Sequence, residues 1–559
     1  MTRELMAPLM FGGLIVFMLI GYPVAFSLAA VGLFFGFIGI ELGFFQVALL
    51  QALPERVFGI ISNELLLAIP FFTFMGAILE RCGLAEDLLD SMGQLFGPVR
   101  GGLAYAVIIV GAILGAITGT VAASVIAMGI ISLPIMMRYG YNMRVATGVI
   151  AASGTITQLI PPSLVLVVLA DQLGRSVGDM YAGAIGPSIV QVLLFCGYIA
   201  VLSIVRPLDM PALPPEARTL RGWPLIRKCL WGMVPSIVLI FLVLGTILMG
   251  LATPTEGGAM GAVGAIVLAV LHSAEFSQRG KIAALVALVA MVLITLFSLL
   301  AGLAWLPAAL SGAARAVLAT TEQPLFVIFY AGLVLVLFEA VRILKLRTLI
   351  TEAAQSTMRI SAMVIFILIG STVFGLVFRG VDGDLWIEHL LTSLPGGVIG
   401  FLIFVNLFVF FLAFFLDYFE IAFIIIPLLA PVAQKLGIDL IWFGVLLGAN
   451  LQTSFMHPPF GFALFYLRGI APREVKSSDI YWGAIPWVVL QMILVSLIIA
   501  FPQLVTGFID QERTAPPSIE APLQPAPAVG TAEADQAAAE KSEEERAAAE
   551  LERAIRSGK

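Results

Sequence analysis

Two short stretches of the sequence combine oxygen-bearing side chains with a pair of adjacent prolines, although both lie in otherwise apolar surroundings. The oxygens belong to Ser153 and Thr155 before Pro161-Pro162, and to Asn450, Thr453 and Ser454 before Pro458-Pro459. Because proline lacks the backbone donor and clashes with the preceding turn, each pair must break a helix and free nearby carbonyls. Carbonyl, amide and hydroxyl oxygens are hard ligands that can replace the water shell of an alkali cation. The two stretches therefore predict cation sites.

The two stretches are copies of one another. Ser153 aligns with Asn450 and Pro161 with Pro458 at a spacing of 297 residues, and Tyr181 aligns with Tyr481 at a spacing of 300. Two homologous halves follow, at about 60–206 and 357–508. Broken helices at matched places in two repeats are typical of the midplane ion and substrate site of secondary transporters.

A third polar group, Thr118, Gly119 and Thr120, lies in the apolar stretch 102–137. Small and hydroxyl-bearing residues can complete a binding site, but they also permit close helix packing without any ligand. We predict that the cation ligands are drawn from Thr118, Thr120, Ser153, Thr155, Asp417, Asn450, Thr453 and Ser454. We predict substrate contacts at Thr118, Gly119, Thr155, Pro161, Pro162, Pro458 and Pro459.

Two carboxylates, Asp417 and Glu420, interrupt a second apolar stretch, 396–434. An ionisable residue at membrane depth costs at least ~2.5 kcal/mol and is a functional candidate for that reason. The spacing of three residues places both side chains on similar faces of a helix. Three interpretations remain open: neutralisation of a cation, proton transport together with His457, and a structural pair with a buried partner.

The elements that position these residues are predicted to be membrane helices. Of the 559 residues, 60% are hydrophobic and 12% charged, whereas soluble domains are roughly 45–50% apolar and about 25% charged. Apolar runs of about 20 residues recur along the chain, and such runs are helical in lipid because their backbone must satisfy itself. The fold class expected is an all-α polytopic membrane protein with two inverted repeats, re-entrant hairpins and discontinuous helices.

Several function classes find no support in the sequence. There is no phosphate-binding loop, no nucleophile elbow and no H-E-x-x-H zinc motif, so an enzyme is not indicated. The formal charge of −6 and the absence of a basic stripe argue against nucleic acid as a partner. Basic clusters near 206–228, 279–281 and 342–359 place those loops in the cytoplasm by the positive-inside rule.

We predict five regions along the chain. Membrane helices occupy 1–59, the first transport repeat 60–206, connecting scaffold helices 207–356, the second repeat 357–508, and an acidic, Ala-rich disordered tail 509–559. Segments 62–80 and 357–378 are each followed by a charged, glycine-containing turn, and we interpret both as arms of re-entrant hairpins. The two halves are then expected to be inverted across the membrane.

The chain resembles the large membrane subunit of tripartite ATP-independent periplasmic (TRAP) transporters over about residues 1–508. The resemblance rests on residues 68–76 (AIPFFTFMG), 115–119 (GAITG), 153–155 (SGT), 160–163 (IPPS), 253–256 (TPTE), 427–431 (PLLAP) and 437–439 (GID). It implies the inverted-repeat fold of the ion-transporter superfamily, in the bacterial inner membrane.

The same resemblance implies sodium-coupled uptake, with Na+ as the coupling ion. It also implies two protein partners: a periplasmic binding protein that delivers an organic acid, and a small four-helix membrane subunit. The run 415–420 (FLDYFE) replaces the Thr118–Thr120 motif in the second repeat and is similar to variants associated with small monocarboxylates such as 2-oxoacids. Region 207–356 is longer than usual for this subunit.

Two other functions are compatible with the residues. A stand-alone sodium- or proton-coupled carboxylate symporter of the same superfamily would need no binding protein. A channel or structural membrane protein would show no dependence of uptake on a cation.

Overall fold

The structure is a computed structural model that describes residues 3–218, 220–273, 276–302, 308–414, 416–459 and 461–509. Within these ranges the secondary structure is helical and contains no β-strand. Eight of the described helices are long and apolar enough to cross a membrane, or up to eleven if each bent pair counts as one span. The prediction of an all-α polytopic membrane protein is confirmed. All of the predicted tail except Ile509 lies outside the described residues.

Two further helical regions, one N-terminal and one central, precede and separate the two repeats along the chain. The first holds α1 (Arg3–Ile20), α2 (Val24–Glu41), α3 (Ala48–Gln51) and α4 (Leu53–Ile61). The central region holds α12 (Trp223–Ile240), α13 (Thr246–Leu248), α14 (Pro254–His272), α15 (Gln278–Gly302) and α16 (Ala308–Arg342). Helix α14 begins with a capping box in which Thr253 and Glu256 exchange hydrogen bonds.

The two repeats present corresponding series of helices. The first contains α5 (Ala68–Arg81), α6 (Leu84–Phe96), α7 (Gly102–Thr118), α8 (Val121–Arg138), α9 (Met143–Thr155), α10 (Leu164–Gln172) and α11 (Val177–Val205). The second contains α17 (Leu344–Gly380), α18 (Gly383–Thr392), α19 (Gly397–Leu412), α20 (Tyr418–Ile424), α21 (Ile426–Lys435), α22 (Leu440–Leu451), α23 (Phe462–Ile470), α24 (Ser477–Ala500) and α25 (Gln503–Thr506).

Helices α7 and α8 form a helical hairpin whose tip is at Gly119. Gly111 packs against Ser153 and Gly115 against Thr157, so α7 and α9 run parallel. Helix α8 connects to α9 through a short loop, and Gly154 of α9 packs against the start of α8. Helix α8 is therefore antiparallel to both. The reversal uses Gly119 at φ 62°, a left-handed conformation that favours glycine.

A second hairpin joins α19 to α20 and α21. The rings of Phe401 and Phe443 stack at 6.1 Å, and Asn450 donates to the backbone of Asn406, so α19 and α22 run parallel. The ring of Tyr418 lies 6.2 Å from that of Phe455, at the far end of α22. The α20–α21 arm is therefore antiparallel to α22 and to α19, and its two helices meet at 53°.

The positions of the hairpins differ in part from those predicted. Segment 357–378 lies inside α17, one continuous helix of 37 residues, so its interpretation as a hairpin arm was wrong. Segment 62–80 forms a 3-10 turn and α5, which continue from α3–α4 with a bend of 49°. The apolar stretches 102–137 and 396–434 contain the two hairpin tips.

Equivalent helices of the two repeats run in opposite directions. Helix α9 is parallel to α24, because Gly148 meets Gly483 and Thr155 meets Gln491. Helix α11 is antiparallel to α7. Ile199, near the end of α11, lies against Gly101, the residue before α7, whereas Ser188, earlier in α11, donates to Leu159 O in the turn after α9. Because α7, α9 and α24 are parallel, α11 and α24 are antiparallel. This relation confirms that the repeats are inverted.

Candidate functional site

The first broken helix is α9 and α10, and its interruption has the predicted cause. A 3-10 turn (Ile156–Gln158) follows α9, the Pro161-Pro162 peptide is cis, and Ser163 caps α10. Two of the freed carbonyls are satisfied by side chains: Ser163 Oγ donates to Gln158 O at 2.5 Å, and Ser188 Oγ donates to Leu159 O at 3.1 Å. Hydrogen bonds from neighbouring hydroxyls thus stabilise the interruption of the helix.

The second broken helix, α22 and α23, repeats this construction. A 3-10 turn (Gln452–Phe455) follows α22, and the Pro458-Pro459 peptide is also cis. Phe460 lies outside the described residues. The equivalence of the two breaks agrees with the internal repeat read from the sequence.

The four predicted hydroxyl ligands at the ends of α9 and α22 are buried and share one hydrogen-bonding pattern. Each donates its proton to a carbonyl three residues earlier at 2.6–2.9 Å: Ser153 to Ile150, Thr155 to Ala152, Thr453 to Asn450, and Ser454 to Leu451. A hydroxyl has one proton and two lone pairs, so donation within the helix leaves its oxygen as an acceptor. Such oxygens are suited to a cation.

Thr118 and Thr120 lie at the tip of the first hairpin, one helical turn beyond the contact of α7 with the chain break after α9. The Thr118 and Ser124 hydroxyls lie 2.8 Å apart, and Thr120 stands half-buried at the start of α8. Gly115, one turn earlier on α7, packs against Thr157 of the 3-10 turn. The residues predicted for the first repeat therefore come from a hairpin tip and from the end of α9.

Asp417 and Glu420 lie at the second hairpin tip, in a different arrangement from the one expected. Asp417 is the N-cap of α20, and its Oδ1 accepts from the Glu420 backbone N at 2.9 Å. Glu420 Oε2 accepts from the Asp417 N at 3.0 Å. The prediction that both project from one helical face was wrong, because the helix begins only after Asp417. The capping box gives the pair a structural role.

Two other buried polar groups accompany this tip. The His457 ring lies 4.2 Å from the rings of both Phe410 and Phe414, and neither of its nitrogens has a hydrogen-bond partner in the described structure. Asn450 Nδ2 donates to Asn406 O at 2.7 Å, whereas its Oδ1 has no partner there. A buried amide oxygen without a donor is a natural cation ligand, and this fits the prediction for Asn450.

Two polar residues on the long helices were not predicted from the sequence. Gln191 on α11 and Gln491 on α24 are both fully buried, and each contacts the broken helix of the opposite repeat. An amide in the middle of an apolar helix was the available signal, since the two residues align at the spacing of 300 that relates Tyr181 to Tyr481.

Inverted repeats that each bring a hairpin tip to a broken helix are typical of secondary transporters. Over residues 11–313 and 307–504 the chain matches the family model for the tripartite ATP-independent periplasmic transporter, DctM component. The chain therefore belongs to this family, and the resemblance found in the sequence is confirmed.

The sequence similarity to curated relatives extends over most of the chain. The C4-dicarboxylate TRAP transporter large permease protein DctM of Pseudomonas aeruginosa is 26% identical over 81% of this chain and 88% of its own length. The sialic acid TRAP transporter large permease SiaM of Vibrio cholerae is 26% identical over 86% and 93%. The ectoine TRAP transporter large permease TeaC of Halomonas elongata is 24% identical over 89% and 98%.

Membership of this family establishes the general role of the chain. It is the large permease, a multi-pass protein of the bacterial inner membrane that translocates substrate in a system with a periplasmic binding protein and a small membrane subunit. These three relatives are named as permeases and not as enzymes. The stand-alone symporter and the channel are therefore not supported.

Proposed function

We propose that this permease imports an organic acid by symport with Na+. The observation that carries the proposal is the duplicated broken helix, where buried Ser and Thr hydroxyls donate within their own helix and leave lone pairs for a cation. The unpartnered Oδ1 of Asn450 supplies a further hard oxygen. Hydroxyls and carbonyls can hold a dehydrated alkali cation, but they do not titrate near neutral pH.

A cavity beside the second hairpin is lined by charged side chains of both signs. It encloses about 510 Å³ between α17 and α21, and its lining includes Arg379 and Lys435 together with Asp171, Asp384 and Glu388. Helix α17 starts at a basic cluster assigned to the cytoplasm and is about 55 Å long, so Arg379 lies toward the periplasm. Lys435 pairs with Glu388 at 2.5 Å, while Arg379 Nε donates to Gly375 O of its own helix.

In this proposal some of the predicted residues bind the coupling ion and others contact the substrate. Na+ is held at the ends of α9 and α22, while the substrate lies against Thr118, Gly119, Thr155 and the two proline pairs. Asp417 at the second hairpin tip supplies nearby negative charge. Among organic acids, small monocarboxylates such as 2-oxoacids are the first candidates, because the sequence run 415–420 is similar to variants associated with them.

The substrate class is tested through the cognate binding protein. We expect its melting temperature to rise with a monocarboxylate such as pyruvate or lactate, and we expect the same compound to be taken up by proteoliposomes that contain both membrane subunits. The matched comparison is the uncharged amide of the same acid, lactamide for lactate, which removes only the carboxylate charge. Stabilisation by an uncharged sugar or by a cationic amine, with none by any organic acid, would contradict the proposal.

A further inference from the structure

Two glutamines connect the inverted repeats to each other at equivalent positions. Gln191 Nε2 of α11 donates to Gln452 Oε1, after α22, at 2.5 Å. Gln491 Nε2 of α24 donates to Thr155 Oγ1, at the end of α9, at 3.1 Å. Gln452 and Thr155 are 297 residues apart and thus occupy equivalent positions. Each long helix therefore holds the broken helix of the opposite repeat.

The two connections differ in how the amide groups are satisfied. Gln191 and Gln452 bind reciprocally, since Gln452 Nε2 also donates to Gln191 Oε1 at 3.3 Å. Gln491 Oε1 is fully buried and has no hydrogen-bond partner in the described structure. Because burying an amide carbonyl without a donor is unfavourable, the first repeat contains an oxygen that calls for a ligand.

Thr155 lies beside Gln491 Oε1, and its own hydroxyl oxygen can also bind a cation. Its hydroxyl proton is donated to Ala152 O at 2.9 Å, and one lone pair accepts from Gln491 Nε2. The second lone pair is left for another partner. The amide oxygen and the hydroxyl are both neutral, hard donors, and that donor set suits an alkali cation better than a transition metal.

We propose that Gln491 is a ligand of Na+ at the first-repeat site, where its Oε1 and Thr155 Oγ1 bind the ion together. This inference rests on the sodium coupling proposed above. The equivalent position in the second repeat has no such oxygen, because the reciprocal bonds of Gln191 and Gln452 use both amides. The two cation sites are therefore unequal, and ion binding at the first strengthens the contact between α24 and α9.

The test measures cation binding without substrate or binding protein. The purified complex of the full-length permease with its small membrane subunit is melted in NaCl and in KCl of equal ionic strength. Wild type should show a Na+-specific rise in melting temperature with a definite midpoint concentration. Gln491→Leu should raise that midpoint about tenfold or abolish the response, as expected for the loss of one ion contact.

Gln491→Glu keeps the size of the side chain and should lower the midpoint, because a carboxylate attracts a cation more strongly than an amide oxygen does. The matched control is Gln191→Leu, which removes the equivalent amide but no proposed ion contact; it should lower melting temperatures in both salts and shift the Na+ midpoint much less than Gln491→Leu does. A wild-type midpoint in Gln491→Leu, or a weakened Na+ response in Gln491→Glu, would overturn the assignment. A wild-type complex without any Na+-specific response would overturn the sodium coupling itself.

Discussion

Replacement of Gly76 by alanine is expected to reduce the rate of uptake about a hundredfold. A loss of about this size is expected when precisely positioned groups of a functional site move by about 1 Å. Gly76 on α5 lies directly against the first hairpin tip. A Cβ at this position would stand 2.0 Å from the carbonyl O of Thr118 and 3.0 Å from its Cα. Because these are backbone atoms, no side-chain rotation can relieve the overlap, and the tip must move away from its site.

The measurement for this variant is the initial rate of uptake in proteoliposomes at matched amounts of inserted protein. Gly59→Ala is the control, since it adds the same methyl group to α4 at a position with nothing within 4 Å. The control should transport at the wild-type rate. If Gly76→Ala matched Gly59→Ala, the position of the hairpin tip would not be needed for translocation.

Replacement of Asp417 by asparagine is expected to raise the sodium concentration for half-maximal uptake about tenfold, with rescue in part by added NaCl. Asparagine is as good an N-cap as aspartate, so the start of α20 should persist while the negative charge is lost. A neutral tip no longer attracts the cation, but the hydroxyl and carbonyl ligands remain. Saturating sodium should therefore restore much of the rate.

Glu256→Gln provides a matched control for this change. It also converts an acid to an amide within a capping box, the one formed with Thr253 at the start of α14. Its sodium dependence should equal that of wild type. Uptake by Asp417→Asn that stays absent at every NaCl concentration, in protein that still melts cooperatively, would instead indicate that Asp417 carries a proton.

The broken helices were predictable because their cause is local. Adjacent prolines remove donors wherever they occur, and the copies at Pro161-Pro162 and Pro458-Pro459 identified both interruptions and the repeat. The capping box at the start of α14 also has a local cause, because it is encoded within four residues. The all-helical membrane fold followed from apolar composition and run length alone.

The hairpin tips were not predictable from hydropathy. At Gly119 the chain reverses within two residues that carry no charge, so the apolar run continues through the turn. The prediction that Asp417 and Glu420 share one helical face was wrong for a related reason. Their spacing places them on a common face only if one helix contains both, whereas the helix begins between them. Both errors arise because chain reversal at membrane depth depends on packing against other helices.

The role of Gln491 could not be derived from the sequence because it depends on a contact between residues 336 positions apart. The amide is visible in the sequence as an isolated polar residue, but its partner and its unpartnered oxygen are properties of the folded repeats. The same applies to the aromatic surroundings of His457, which come from α19 and from the residues that follow it.

Sodium coupling is tested most directly in proteoliposomes that contain the permease and its small membrane subunit, supplied with substrate-loaded binding protein. One set receives an inward Na+ gradient at equal pH on both sides. The other receives an inward proton gradient in sodium-free choline medium, and the membrane potential is matched in both. We expect uptake in the first set and only background in the second. Full uptake without sodium that follows the proton gradient would contradict the proposed mechanism.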